Sequence, residues 1–296
     1  MDQVIPVVLF THARTTHLLR VLDSLRENRV PLLYVYSDGA RRVGEASAVE
    51  EVRALVRAID WCEVQLVERS ENWGLGRSIL SGVTEVAAQH KAFIVFEDDL
   101  ICVPGTYDWV CAALRHYASD ERVMSVTAWT HPRLVPSNVR ETLYFDGRAE
   151  GWVWGTWARC WAGMDESVKI KQAACIARGM APNIYGSDLP LMAAVEQVKN
   201  IWAVRWCYHH LQQNGWCVRP PWSMVEHIGF DRSAMNAAND GIWANPPLRA
   251  APPIPRLWPE PELNPQCSEL WRKACPSPLR RKFNSLLGRL ARFRCV

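Results

Sequence analysis

Three adjacent acids, Glu97-Asp98-Asp99, follow directly on the apolar run Phe93 to Phe96 (FIVF). A strand that ends in neighbouring carboxylates makes a hard-oxygen site suited to Mn²⁺ or Mg²⁺. Such a cation can bridge a diphosphate and neutralise the charge that grows as it leaves. A solvated acidic turn ahead of Pro104-Gly105 is the plainer alternative. Asp38 stands just past a second apolar run, where its carboxylate can accept a hydrogen bond from a base N–H or simply hold a turn before Gly39. The run Trp73-Gly74-Leu75-Gly76-Arg77-Ser78 fails as a dinucleotide fingerprint, because Ile79 replaces the third glycine and the run follows a third strand rather than a first. A glycine-bearing loop at a helix start can still approach a nucleotide, or be an ordinary turn.

The elements that must position these groups alternate. Ile5 to Phe10 reads as a strand buried on both faces, and Leu32 to Tyr36 as a second. Val64 to Val67 is a weaker third, and FIVF a fourth. Between them, Thr15 or Thr16 can cap a helix with Leu18, Leu19, Leu22 and Leu25 on one face. Ser47 opens another with Val52, Leu55, Val56 and Ile59, and Gly76 to His90 reads as a third. Strand–helix units of this kind imply right-handed crossovers and a parallel sheet, with ligands bound beyond the carboxyl ends of the strands. Thr11-His12-Ala13-Arg14, Ser37-Asp38-Gly39, Glu71-Asn72-Trp73-Gly74 and the acidic triplet all fall there. That coincidence favours metal over a solvated turn.

Composition narrows the class. Of 296 residues, 49% are hydrophobic and 22% charged, which is enough for a substantial core. A net charge of +3 is too small to argue for nucleic acid as a partner. The ten cysteines form no C-x-x-C pair, and Cys62, Cys102, Cys111, Cys160, Cys207 and Cys217 sit in apolar stretches, as reduced buried thiols do. With no secretory pattern at Met1 to Phe10 and no transmembrane-length run, the expected location is cytoplasmic, at most at the inner face of the cell membrane. Residues 246–278 hold more than half of the 19 prolines and read as an extended linker lying on or leaving the body, neither helix nor central strand. Residues 279–296 have the period of a basic amphipathic helix, suited either to anionic lipid or to packing on the body. Trp152, Trp154, Trp157 and Trp161 offer flat faces for a sugar ring or fill a core. Trp152 and Trp154, beside Glu150-Gly151, are the best placed as acceptor contacts.

The stretches VVLFTHAR (7–14), YSDG (36–39), ENWGLGRS (71–78), FEDDL (96–100), VTAW (126–129), EGWVWGTWARCW (150–161) and CVRPPWSMVEHIGFDRS (217–233) resemble, in that order, the motifs of GT-A glycosyltransferases. The resemblance is to family-2-like bacterial transferases, and in motif order to the N-acetylglucosaminyltransferase I type. It covers residues 4–235. It implies an α/β GT-A fold with a mostly parallel central sheet and flanking helices over 1–245, with a nucleotide-binding half 1–100 and an acceptor half 101–245. In such enzymes the acidic triplet is a DXD-type motif, so Asp99 would bind the metal directly, with Asp98 beside it and Glu97 and Asp98 near the donor ribose and sugar. Thr11, Arg14, Asp38, Asn72, Gly74 and Arg77 would hold the nucleotide, usually uridine. The loop from Gly229 to Ser233 would close over the diphosphate. His227 would reach metal or phosphate, or be a packed histidine.

The implied reaction is an inverting transfer of a sugar from a nucleotide-sugar to a hydroxyl of a glycan or lipid-linked acceptor in surface polysaccharide or glycolipid assembly. Here the chain departs from the pattern: Trp202-Ala203-Val204-Arg205-Trp206 lacks the acid that the related enzymes carry after the tryptophan. Glu150 and Glu226 are the candidate bases, with Asp165 and Asp188 behind them. A chain without a base would be a weak enzyme or a sugar-nucleotide-binding scaffold. A sugar-phosphate nucleotidyltransferase would need a glycine-rich first loop, which residues 11–14 do not provide. Deleting 279–296 is expected to lower co-sedimentation with anionic vesicles more than activity on a soluble acceptor; unchanged sedimentation would reject the lipid-binding role.

Overall fold

A computed structural model describes residues 4–230 and 242–277. Four parallel strands, β1 (Val7–Thr11), β2 (Leu32–Ser37), β3 (Glu63–Glu68) and β4 (Ala92–Glu97), form the first half of the sheet. Their crossovers are α1 (Thr15–Glu27), α2 (Ala46–Arg57) and α3 (Leu75–Ala87). β1, β2 and the interior of β4 are buried almost throughout, whereas β3 is the half-exposed edge. The second half adds β5 (Leu100–Cys102), α4 (Thr106–His116), β6 (Val123–Thr127), β7 (Tyr144–Asp146), β8 (Trp154–Trp157) and α5 (Ala158–Trp161). It continues through α6 (Val168–Ala177), α7 (Asp188–Lys199), α8 (Trp202–Gln213), β9 (Trp216–Arg219), β10 (Val225–His227) and α9 (Cys267–Ala274).

Eight strands form one sheet in the order β3-β2-β1-β4-β8-β6-β9-β7, and β10 pairs with β5 in a separate two-stranded ladder. The expected architecture, α/β with a mostly parallel central sheet flanked by helices, is the one the chain adopts. The strand order reverses between β1 and β4, which makes their carboxyl ends the crevice in which open α/β sheets bind ligands. β8 enters antiparallel between β4 and β6 and carries the sheet on into the second half.

Three local expectations need correction. Neither Thr15 nor Thr16 caps α1: the N-cap is Arg14, without a side-chain cap, and Leu19 is 44% exposed while Val21 takes its place in the core. Cys62 is only half-buried, although the nine described cysteines are all free thiols. The proline-rich stretch lies on the body, one of its two expected placements, but it is not free of helix. Pro265 and Pro276 bracket a proline-free window in which α9 forms, since proline is tolerated just before a helix and ends one just after. Leu263 bridges to Phe145, Trp258 stacks on His116 at 5.0 Å, and the Tyr117 hydroxyl donates to the Pro259 carbonyl at 2.8 Å. Residues 279–296 and Ser233 lie outside the described residues. Among the described residues no helix is long and apolar enough to cross a membrane.

Trp271 fastens this segment. It is fully buried, with its indole N–H donated to Asp146 Oδ2 at 2.8 Å and its ring 3.9 Å from the Arg148 guanidinium. Trp271→Ala is expected to lower unfolding stability by about 3–5 kcal/mol, the usual loss for a buried large aromatic, in urea denaturation. A loss under about 1 kcal/mol would mean that the segment is not part of the folded body.

Candidate active site

The acidic triplet ends β4 beside the end of β1, and burial dominates its electrostatics. Asp98 and Asp99 are nearly inaccessible. Loss of water raises the Glu97 carboxyl well above the usual range, and the charges of Asp99 and Asp98 push it further. Burial also raises Asp98, with Arg14 opposing. Arg14 is the local counterion: its Nη2 bonds Asp98 Oδ1 and lies 2.8 Å from Asp99 Oδ2. Burial pulls the Arg14 guanidinium down, but Asp98 and Asp99 outweigh it and its pKa rises. The His12 backbone N–H donates to Asp98 Oδ2 at 3.1 Å, fixing the first strand end to the acids.

Asp38 does different work from that expected. Its Oδ1 accepts from the Gly39 and Trp73 N–H groups at 3.0 and 2.8 Å; its Oδ2 accepts from Gly74 N–H and Asn72 Nδ2 at 2.9 and 3.0 Å. A carboxylate has about four lone-pair sites, and all are taken by protein. Asp38 therefore builds the Asn72–Gly74 loop and has no acceptor left for a base N–H. The loops also pack tightly: a Cβ on Gly39 would lie 2.4 Å from the Glu71 backbone. Asn72 donates to the Gly39 carbonyl at 2.8 Å, and His12 Nε2 lies 3.1 Å from the same oxygen, so this loop and the acidic end are one assembly. Arg77, exposed on the first turn of α3, stacks on Trp73 at 4.0 Å, with Arg69 also against that ring at 3.6 Å.

Among the described residues, five of the eleven buried side-chain polar atoms without a hydrogen-bond partner stand at this edge: Thr11 Oγ1, Arg69 Nε and Nη2, Ser78 Oγ and Asp99 Oδ1. Native proteins leave few such groups, and a cluster of them points to an absent polar ligand or ion.

The β5–β10 ladder brings His227 opposite Leu100, and Ile228 N–H donates to the Asp99 carbonyl at 2.8 Å. The Asn245 amide grips both sides of the His227 peptide at 2.9 and 2.8 Å. His227 Nε2 lies 3.6 Å from Asp99 Oδ2, and burial lowers the imidazole pKa. Gly229 lies so close that a Cβ would stand 2.5 Å from Asp99 Oδ2 and 2.9 Å from the imidazole. The Trp152 ring lies 4.9 Å from His227, 5.1 Å from Trp129 and 6.0 Å from Phe230.

Other expected residues lie elsewhere. Trp154 is 1% exposed and packed against Trp161, Trp202 and Trp206, so it is core and presents no face to a sugar. Val153 separates it from Trp152 with φ 47°, an outlier for a β-branched residue, which turns Trp152 to the site as Trp154 enters the sheet. Glu226 neighbours His227 on β10, and successive strand residues face opposite sides, so it points away from Asp99. Asp165 is exposed, and Asp188 is paired with Arg148. Glu150 is buried, its Oε1 accepting from Gly151 N–H at 2.9 Å and its Oε2 lying 3.5 Å from Arg219 Nη2. Burial raises its pKa against the opposing charge of Arg219. The sequence reading missed His12, Asn245 and Arg219; His12 and Arg219 stood inside the quoted motifs without a pattern to mark them.

Among the described residues no three His, Cys, Asp or Glu side chains are gathered as a metal cage. Magnesium-type sites need only one or two carboxylates when substrate phosphates complete the shell. Asp99 fits that role, because Oδ1 is buried and unpartnered. His227 does not. A ligating histidine gives its other ring N–H to an acceptor, but here Nδ1 accepts from Gly229 N–H at 3.1 Å, which leaves the proton of a neutral ring on Nε2.

No protein-family model and no curated protein matches the chain. Among solved structures it is similar to a mannosyltransferase from Pyrobaculum calidifontis in complex with GDP-Man and Mn²⁺, at 16% identity over 58% of this chain and 51% of that one, TM-score 0.41. The match thus spans about half the length of that protein. It is also similar to a UDP-glucose pyrophosphorylase complexed with UDP-glucose (13% identity, 53% and 78% covered, TM-score 0.34). A third is the inositol-1-phosphate CTP transferase from T. maritima (11% identity, 56% and 76% covered, TM-score 0.32). Likenesses this loose carry no weight for activity.

The Asp38 clamp has a direct check. Asp38→Asn places an amide against two N–H donors and is expected to cost on the order of 3 kcal/mol in urea unfolding, from charged hydrogen bonds lost and donors left unpaired. A loss under about 1 kcal/mol would show that the 72–74 loop is held by something else.

Proposed function

We infer that the chain is a metal-dependent, inverting glycosyltransferase acting on a nucleotide-sugar, a uridine-type donor by its motif resemblance. One observation carries this reading: among the described residues Asp99 Oδ1 at the end of β4 and Thr11 Oγ1 at the end of β1, the two strands of the topological switch point, are buried without a hydrogen-bond partner. Asp99 would hold the ion, which when bound supplies positive charge to the leaving diphosphate. Arg14 fixes Asp98 and Asp99 against each other, and the lack of a side chain at Gly229 lets the backbone just after His227 lie directly against Asp99. Trp152 offers an aromatic face beside His227, suited to sugar C–H groups of a glycan or lipid-linked acceptor.

The missing acid in the 202–206 segment is answered in space. Gly151 abuts it: a Cβ there would touch the Trp202 ring at 3.1 Å and Ala203 Cβ at 3.9 Å. Glu150 thus stands next to the place from which the related enzymes present their base. In the proposed step the acceptor oxygen bonds to the anomeric carbon and the bond from that carbon to the diphosphate oxygen breaks. The hydroxyl proton passes to Glu150. A base whose pKa is raised by burial is better matched to proton abstraction near neutrality than an exposed glutamate. This supports an enzyme over a scaffold. The absence of glycine from residues 11–14 stands against nucleotidyl transfer.

Nucleotide-sugars with Mn²⁺ are expected to raise the melting temperature, and EDTA or Asp99→Asn to remove that shift. Glu150→Gln should keep the shift and lose turnover about 10²-fold or more. Pyrophosphate release from a nucleoside triphosphate and sugar phosphate would instead identify a nucleotidyltransferase, and binding without turnover a scaffold. Full activity in Asp99→Asn would remove the metal reading.

A further inference from the structure

Beneath the acceptor side of the site lies a group of buried charges. Three carboxylates, Asp146, Glu150 and Asp188, share two guanidiniums, Arg148 and Arg219. Arg148 meets Asp188 with two parallel bonds, at 3.0 and 2.7 Å, and its Nη1 also reaches the Tyr185 carbonyl. Arg219 is wholly buried; its Nε is 2.8 Å from Asp146 Oδ2, though its N–H is not directed along that contact. Its Nη2 reaches the Arg148 carbonyl at 3.2 Å and only then Glu150, at 3.5 Å. Asp146 is further secured by Arg148 N–H at 3.0 Å and the Trp271 indole at 2.8 Å. With two cations matched to two acids at shorter range, Glu150 is the odd carboxylate of the set.

We propose that Asp146, held by Trp271 of α9, is a positioning residue that draws Arg219 away from Glu150 and so leaves Glu150 free to accept a proton. The inference rests on the reading of Glu150 as the base. It gives α9 a part in catalysis although the helix brings no group to the reacting atoms. The charged and titratable groups around Glu150 are Arg219 and Cys217 from β9, Asp146 at the end of β7, Arg148 just after it and Cys207 from α8, with Asp188 of α7 engaged through Arg148. Removing the charge of Asp146 leaves Arg219 with Glu150 as its one remaining acid. The ionised form of Glu150 is then favoured and its pKa falls.

The test reads Glu150 itself. Full-length protein labelled with ¹³C at the glutamate carboxyl carbons is titrated by NMR, and the Glu150 resonance is assigned as the one lost in Glu150→Gln. In the unmodified protein Glu150 should titrate above the exposed glutamates; in Asp146→Asn its midpoint should drop by about one pH unit or more, the displacement expected when one close charge is removed. The acid limb of the pH–rate profile for nucleotide-sugar turnover should move the same way. An unmoved or raised midpoint in Asp146→Asn overturns the proposal. Should that variant fail to fold, the unmodified protein alone decides, since a Glu150 midpoint at or below those of the exposed glutamates overturns it equally. Retained turnover in Glu150→Gln would instead sink the base reading while leaving the NMR result intact, so the two failures are distinguishable.

Discussion

The site depends on one arginine set across two aspartates. Three consecutive acids at a strand end, two buried and one half-buried, repel one another and lose hydration together. Arg14 makes the arrangement tolerable by spanning Asp98 and Asp99 from the end of the neighbouring strand. It does so incompletely, because among the described residues one guanidinium spans the two aspartates and Asp99 Oδ1 is left without a partner. A fully neutralised cluster would be structure alone. In the proposed function, the residual demand at Asp99 is what makes the cluster receptive to a cation that arrives with phosphate.

The same logic separates the two aspartates that the sequence places at strand ends. Asp38 and Asp99 look alike in type and position. Asp38 is saturated by four N–H donors and is spent on shaping a loop; Asp99 is not. Availability of lone pairs distinguishes a scaffold carboxylate from one open to a ligand, and for Asp38 three of the four donors that set it come from residues more than thirty positions away.

That distance explains what the sequence made legible. The four parallel strands and three crossover helices announce themselves through local apolar runs and helical period, and so does the gathering of polar strand ends at the switch point. The antiparallel insertion of β8 between β4 and β6 has no local signal, because long-range pairing decides it. Trp152 and Trp154 are equivalent by composition and parity; only the left-handed Val153 between them sends one to the site and the other to the core. The prolines of 246–278 were a true local signal applied too broadly, since a window between Pro265 and Pro276 is long enough for two turns of helix. Glu226 looked eligible because it adjoins His227, and strand alternation is what removes it.

The proposed base shows how a catalytic position can be defined by space rather than by chain order. The helix that begins at Trp202 carries no acid in its first turn. The glycine after Glu150 lets the neighbouring loop lie against that turn, where a larger residue would strike the Trp202 ring. A carboxylate supplied from this loop enters a more buried setting than one on a helix end, and burial alone would protonate it too readily to accept a proton at moderate pH. Two arginines nearby would overcorrect and pin it as an inert ion pair. Engaging one with Asp188 and the other with Asp146 leaves an intermediate field at Glu150. Trp271 gives Asp146 a donor in a region closed to water, which would tie the chain's proline-bracketed helix to the proposed chemistry some distance from it.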